Sequence, residues 1–360
     1  MCARLYAGHG DGLRVVDAET GDASVRLAGH AVESLSVASA AQRGEAASGD
    51  SGGEGGEGGE GGQGDEDGGD RVLAGTFDAG LFHSVDAGET FERVAAETLG
   101  PGGSGPEAVT AVATSPHDPA VVWVGTEPSR VYRSTDGGRT VEPVAGLTDV
   151  PSASEWSFPP RPDTHHVRWI EPCPADPDRW FVGVEAGALV VTPDGGETWI
   201  DRPTGSRRDN HALATHPDAP DLVYSAAGDG FAESRDRGGS WRVVDAGLAH
   251  GYVWGLAVDP GDPQTVLVSA ASGADAAHRR GEAYLYRYRR GEGFERLDGR
   301  GIPTGEGTYR AVLASGREPG ELWALHDGGL YRTGDAGDSF ERVSAELPAR
   351  PARSLAVGGD

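Results

Sequence analysis

One eight-residue phrase recurs through this sequence and constrains its fold more than any other feature. Five segments, at 84–91, 134–141, 192–199, 234–241 and 333–340, follow the pattern Ser/Thr-x-Asp-x-Gly-x-Thr/Ser, and all but 134–141 close on an aromatic residue. Their aspartates are Asp86, Asp136, Asp194, Asp236 and Asp335, separated by 50, 58, 42 and 99 residues. The last gap is about twice the others and holds a degenerate copy at 284–300, which keeps Phe294 but has Arg289 where the Asp would stand. A period of 40 to 60 residues is the signature of a repeat architecture.

The same order of short β-branched runs and turn residues precedes each phrase. In one copy it reads 109–115, then Pro116-His117-Asp118-Pro119, then 121–126 and 131–134. Such runs are the strands of an antiparallel meander, and the recurring phrase is the hairpin between the third and fourth strands. There the Asp accepts turn N–H groups and the Gly takes a positive φ. Complete repeats begin near Val32, Val109, Val167, Asn210, Val253 and Tyr309. The segment 353–357 is one more first strand, and 4–7, 12–16 and 24–27 are the second to fourth strands it lacks. The expectation is therefore an all-β, seven-bladed β-propeller of four-stranded antiparallel blades. It spans 1–360 as a single domain, closed by pairing the N- and C-terminal strands.

Charge decides which partners this ring can have. The chain carries 57 acidic residues against 31 basic ones, a net charge of -26, and every basic residue is Arg. A Lys-free, carboxylate-rich surface stays hydrated where salt screens its self-repulsion, which points to a halophilic protein. The same charge excludes nucleic acid and an anionic membrane as partners. With no apolar leader and no membrane-length apolar run, the expected location is cytoplasmic. Cys2 and Cys173 fall on different repeats, so no disulfide framework is expected. Residues 44–70 hold nine acidic residues, no basic one and almost nothing apolar, and read as a disordered acidic Gly-rich insertion within the second blade.

The quoted hairpin residues resemble those of the BNR or Asp-box repeat family. Its members include sialidases, two-domain xyloglucan hydrolases, sortilin-type receptors and propeller assembly factors of photosystem II, and the acidic composition suggests a haloarchaeal-type member. The resemblance implies the propeller fold over nearly the whole chain outside 44–70. It implies either a glycoside-hydrolase-like enzyme or a non-catalytic interaction or assembly module, because the box is a structural hairpin in both kinds. The Phe/Tyr-Arg-Ile-Pro motif with which the sialidases begin is absent, so sialic acid is not the expected substrate.

Aligning the repeats on Thr110 gives Glu33, Arg168, His211, Trp254, Arg310 and Arg353 as the equivalent residues, each at the start of an innermost strand. Seven such starts converge on one mouth of the central channel, where Arg168, Arg310 and Arg353 would form an anion clamp. Loops at 156–166 and 272–282 rise from the same rim as lids and bring His165, His166 and His278. The carboxylates Glu171, Glu185 and Asp209, with Tyr252, are the catalytic candidates for hydrolysis of a glycosidic bond. No cofactor is identified. A divalent metal would need ligands assembled through space, since no local His-x-x-x-His spacing occurs. The leading reading is a site for a small polar or anionic ligand, and the alternative is a face that docks a protein partner. If the acidic surface is an adaptation to salt, the melting temperature should climb as KCl is raised into the molar range. Greatest stability in dilute buffer would contradict that reading.

Overall fold

A computed structural model describes residues 3–40 and 69–359. The expected insertion at 44–70 therefore lies outside the described residues except for Gly69 and Asp70. Asp70 is buried, and its carboxylate accepts a hydrogen bond from the Gly359 N–H.

Seven antiparallel sheets stand in a ring, as the repeat count requires. Blade one joins Ser354–Gly358 to Arg4–His9, Gly12–Asp17 and Ala23–Arg26, so the two ends of the chain close the propeller through pairs such as Leu5 with Val357. Blade two runs Val32–Ala38, Arg71–Thr76, Gly80–Ser84 and Glu92–Val94, and blade three Ala108–Thr114, Val122–Glu127, Val131–Ser134 and Glu142–Val144. Blade four runs Val167–Cys173, Asp176–Val184, Ala188–Thr192 and Ile200–Asp201, and blade five Asn210–Thr215, Val223–Ala227, Gly230–Ser234 and Arg242–Val243. Blade six runs Tyr252–Asp259, Asp262–Ala271, Glu282–Arg289 and Gly293–Arg296, with Gly305–Glu306 added beside its third strand. Blade seven runs Val312–Ser315, Leu322–His326, Gly329–Thr333 and Glu341–Val343. The helical pieces among the described residues are short turns at Leu147–Asp149, Pro151–Glu155 and Ala276–Arg280, and no helix is long and apolar enough to cross a membrane.

The recurring hairpin does two jobs. Within it, Ser84 donates to Asp86 at 2.7 Å while the Asp86 carboxylate accepts from the Thr90 N–H at 2.9 Å and the Thr90 hydroxyl at 2.6 Å. The same bonds recur around Asp136, Asp194, Asp236 and Asp335. Between blades, the hairpin glycine seats the turn on the preceding blade. A Cβ on Gly238, whose φ is +79°, would stand 2.4 Å from Phe181 Cε1 of blade four, and one on Gly196 would stand 2.2 Å from Val144 Cγ1 of blade three. Apolar and aromatic contacts fill much of the blade interfaces, as in the 4.9 Å stacking of Trp123 on Trp180, beside buried polar links such as the 2.7 Å bond from the Tyr288 hydroxyl to Glu233.

Five first strands carry a β-bulge near their start. The ladder skips one residue between Val32 and Ser34, Val109 and Ala111, Val167 and Trp169, Asn210 and Ala212, and Val253 and Gly255. The skipped residues are Glu33, Thr110, Arg168, His211 and Trp254. Blade seven differs from the expected start near Tyr309, because its first strand begins at Val312. The Tyr309 and Ala311 N–H groups donate instead to Asp327 Oδ1 at 2.9 Å and Ser269 Oγ at 3.2 Å, which leaves Arg310 outside the ladder as well.

Replacing Gly238 by Ala should destabilise the ring by about 2–4 kcal/mol, combining the left-handed backbone penalty with overpacking against Phe181. Gly334→Ala, in the seventh-blade hairpin with open space around it, should change stability by less than about 0.5 kcal/mol. Urea unfolding in high salt measures both, and equal effects would remove the docking role of the hairpin glycine.

Candidate functional site

A bulge leaves its extra residue unpaired and turns that side chain away from the sheet's alternation. At the mouth of this ring the result is a cavity of about 900 Å³, lined by Glu33, Thr110, Arg168, Trp254, Arg310 and Arg353 from six blades. The seventh equivalent, His211, bounds the channel just beneath, a space of about 300 Å³. Both expected lids form walls. Phe158 to Arg161 contribute from 156–166, and Ala274, Asp275, His278 and Arg279 from 272–282, where Glu282 ties the second loop down by accepting from the Ser272 N–H and hydroxyl.

The cations are not equivalent. Arg353 is neutralised by a direct ion pair with Glu33. Arg168 lies over Trp254 at 5.1 Å and reaches Glu185 at 3.6 Å. Arg310 stacks on the same indole at 4.2 Å, and its buried Nε has no hydrogen-bond partner among the described residues. Burial, then the Arg168 charge, brings Arg310 down to about 10. His278 accepts or donates a 2.8 Å bond with the Tyr252 hydroxyl, and burial with Arg310 nearby lowers its imidazolium pKa to about 4, so it is neutral at physiological pH. Burial and the charges of Glu185 and Asp209 raise the Tyr252 phenol, which disfavours its use as a phenolate.

Three carboxylates face these cations. Glu127 takes a two-pronged ion pair from Arg161 at 2.6 and 2.8 Å, which fastens the first lid to blade three. Glu185 accepts from His166 at 3.0 Å through Oε2. Burial alone would raise its pKa, but the His166 bond and the neighbouring His211 and Arg168 hold it at about 2. Asp209 is raised by burial, with Glu185 adding to the shift against His211. Asp209 accepts from the Ala186 N–H at 2.8 Å through Oδ1, and lies so close to Gly228 that a Cβ there would stand 2.0 Å from Oδ2. His211 Nε2 stands 3.9 Å from Glu185 Oε1 and 3.7 Å from Asp209 Oδ2.

Of the sequence candidates, then, Glu33, Arg168, Trp254, Arg310, Arg353, His166, His278, Glu185, Asp209 and Tyr252 line the cavity, with His211 at its floor. His165 does not: its ring packs edge-on against Trp156 behind the wall. Glu171 lies deeper, in the channel, held by bonds from Trp169 at 3.1 Å and from the Thr215 N–H and hydroxyl at 2.9 Å each. Sequence reasoning missed Glu127, Phe77 and the pairing role of Arg161. A second alignment would have found two of them, because Phe77, Glu127, Glu185 and Gly228 each follow the residue paired opposite the start of a bulge.

No protein-family model matches the chain, and no curated protein matches it. Solved structures do. The GH74 xyloglucanase from Xanthomonas campestris is 18% identical over 98% of this chain and 52% of its own, with a TM-score of 0.65. The GH74 enzyme from Niastella koreensis is 15% identical over 95% and 51%, with a TM-score of 0.62. YCF48 bound to D1 peptide is 15% identical over 79% of this chain and 88% of its own, with a TM-score of 0.53. The likeness is one of fold. The chain spans about half the length of those two GH74 enzymes.

Removal from water raises the Glu171 carboxyl to about 7. The folded protein therefore holds this proton more tightly than the unfolded chain does. The resulting stability is complete below the ordinary carboxyl range and is lost as pH rises to about 7. Glu171→Gln should abolish that loss, so the variant should gain up to about 3 kcal/mol on wild type between pH 5 and pH 8. Unfolding titrations at both pH values in one salt test this, and parallel pH profiles would contradict it.

Proposed function

We propose that the rim cavity binds a small polar ligand carrying an anionic group, received by Arg310 with Arg168 beside it on Trp254. The observation that carries this reading is Arg310: a guanidinium over an indole, facing a cavity, with no ion pair among the described residues. Guanidinium groups offer paired donors that suit a carboxylate or phosphate, and a volume of about 900 Å³ is within the range of small-molecule sites. Glycosidase-type hydrolysis, the activity class of the xyloglucanase, needs two carboxyl groups across an open gap. Glu185 and Asp209 are close enough, but the His211 nitrogen faces both, so binding rather than glycoside cleavage is the better-supported reading.

The second reading is a face that docks a protein segment. The similarity to YCF48 favours it, since that match covers 88% of the YCF48 chain and that protein was captured with a peptide. The two walling loops favour the small ligand. A screen of uronates, sugar phosphates, neutral oligosaccharides and acidic peptides in molar KCl separates the two. An anionic small molecule should bind wild type, and Arg310→Ala should weaken it by about 1.5–3 kcal/mol, while Arg353→Ala, already paired with Glu33, should cost less. Binding confined to peptides, or indifference to Arg310→Ala, would overturn the small-ligand reading.

A further inference from the structure

We infer that Glu185, Asp209 and His211 hold a divalent transition-metal ion, of the Zn²⁺ or Mn²⁺ class, at the floor of the rim cavity. One ligand atom from each of the three lies within 4.8 Å of the others. Acidic clusters are common on so acidic a chain, and the case rests on what the atoms around this one do.

Each of the three side chains has one polar atom anchored by the protein and the other turned inward. Glu185 is held through Oε2 by His166, with Arg168 beside it, and Oε1 faces His211. Asp209 is held through Oδ1 by the Ala186 N–H, and Oδ2 faces His211. His211 donates from Nδ1 to the Val253 carbonyl at 2.8 Å, which leaves Nε2 as the ring nitrogen available to a metal ion. That nitrogen is buried, with the residue 1% exposed, and it has no hydrogen-bond partner among the described residues. At 3.7 and 3.9 Å the carboxylate oxygens are too far to serve as partners. An orphaned buried nitrogen is costly, and a cation between it and the two oxygens satisfies all three.

The anchoring pattern is the one metal ligands show, where the second nitrogen of a histidine donates to a backbone carbonyl and ligating carboxylates are themselves hydrogen-bonded. One imidazole and two carboxylates suit zinc or manganese rather than copper(I) or an iron–sulfur cluster. Metal–ligand bonds of about 2.0–2.2 Å need the three atoms to draw in by under about 1 Å. Gly228 supports the same arrangement from behind, since any side chain there would drive Asp209 Oδ2 from its place. Glu185 and Asp209 line the same cavity as Arg168, Arg310 and Tyr252, so an anionic ligand there could bridge metal and guanidinium. The ion itself does not depend on that ligand.

The test is equilibrium dialysis of chelator-treated protein against Zn²⁺ and, separately, Mn²⁺ in molar KCl, with metal counted by mass spectrometry. Wild type should bind one equivalent of at least one ion with a dissociation constant well below that of the diffuse acidic surface. Asp209→Asn and His211→Gln should each weaken it at least about tenfold. Gly228→Ala, which alters no ligand, should do the same, and exposed Glu346→Gln should change nothing. Mn²⁺ electron-spin-echo spectra should show ¹⁴N coupling that His211→Gln removes. Melting curves establish that each variant is folded. Absence of a tight equivalent, equal binding in folded Asp209→Asn and Gly228→Ala variants, or the same loss in Glu346→Gln would overturn the site. Loss of metal binding with intact anion binding, or the reverse, distinguishes this inference from the ligand reading above.

Discussion

The chemistry at the mouth depends on one residue near the start of each innermost strand, which in six of the seven blades stands outside the ladder. In a regular ladder, side chains at these positions would alternate between the faces of each blade and would have to be apolar to pack there. The bulges at Glu33, Thr110, Arg168, His211 and Trp254, and the place of Arg310 ahead of its strand, release six positions from that requirement, while Arg353 stands just before its own strand with its N–H bonded to the Gly8 carbonyl. The ladder resumes within a residue, so blade packing is unaffected. A rigid ring can in this way present a charged or aromatic residue from every blade at one end.

Charge at the mouth is then balanced locally, in pairs. Arg353 takes Glu33, Arg161 takes Glu127, and Arg168 with His166 takes Glu185. Buried ions without partners are costly, so the two groups this pairing leaves over are the informative ones. Among the described residues Arg310 has no ion pair, and the Glu185–Asp209–His211 cluster turns inward two carboxylate oxygens and a nitrogen that those pairs leave unmatched. They lie along the same cavity, and the ligands proposed for them are of opposite sign.

Much of this was legible in the sequence because it is periodic. The hairpin phrase set the blade count, and the equivalence of residues to Thr110 required only counting along strands. Closure of the ring followed from a lone strand at one end and three at the other. What escaped was whatever depends on contacts between segments that only the folded chain brings together. Nothing in the sequence pairs Arg161 with Glu127, puts Arg353 beside Glu33, or sets Gly228 behind Asp209, since these contacts join residues 34, 320 and 19 positions apart. Glu171 illustrates the reverse error. Its strand was placed correctly, but three residues along from Arg168 the chain has already left the rim for the channel.

The measurement that bears most directly on this account is an anomalous-scattering map from crystals of the protein grown in high salt with Zn²⁺. The account predicts one strong peak bounded by Glu185, Asp209 and His211, beneath a cavity into which Arg168 and Arg310 both project. A ladder running unbroken through Arg168, His211 and Trp254, with those side chains turned into the blade interfaces and zinc scattered over surface carboxylates, would contradict it.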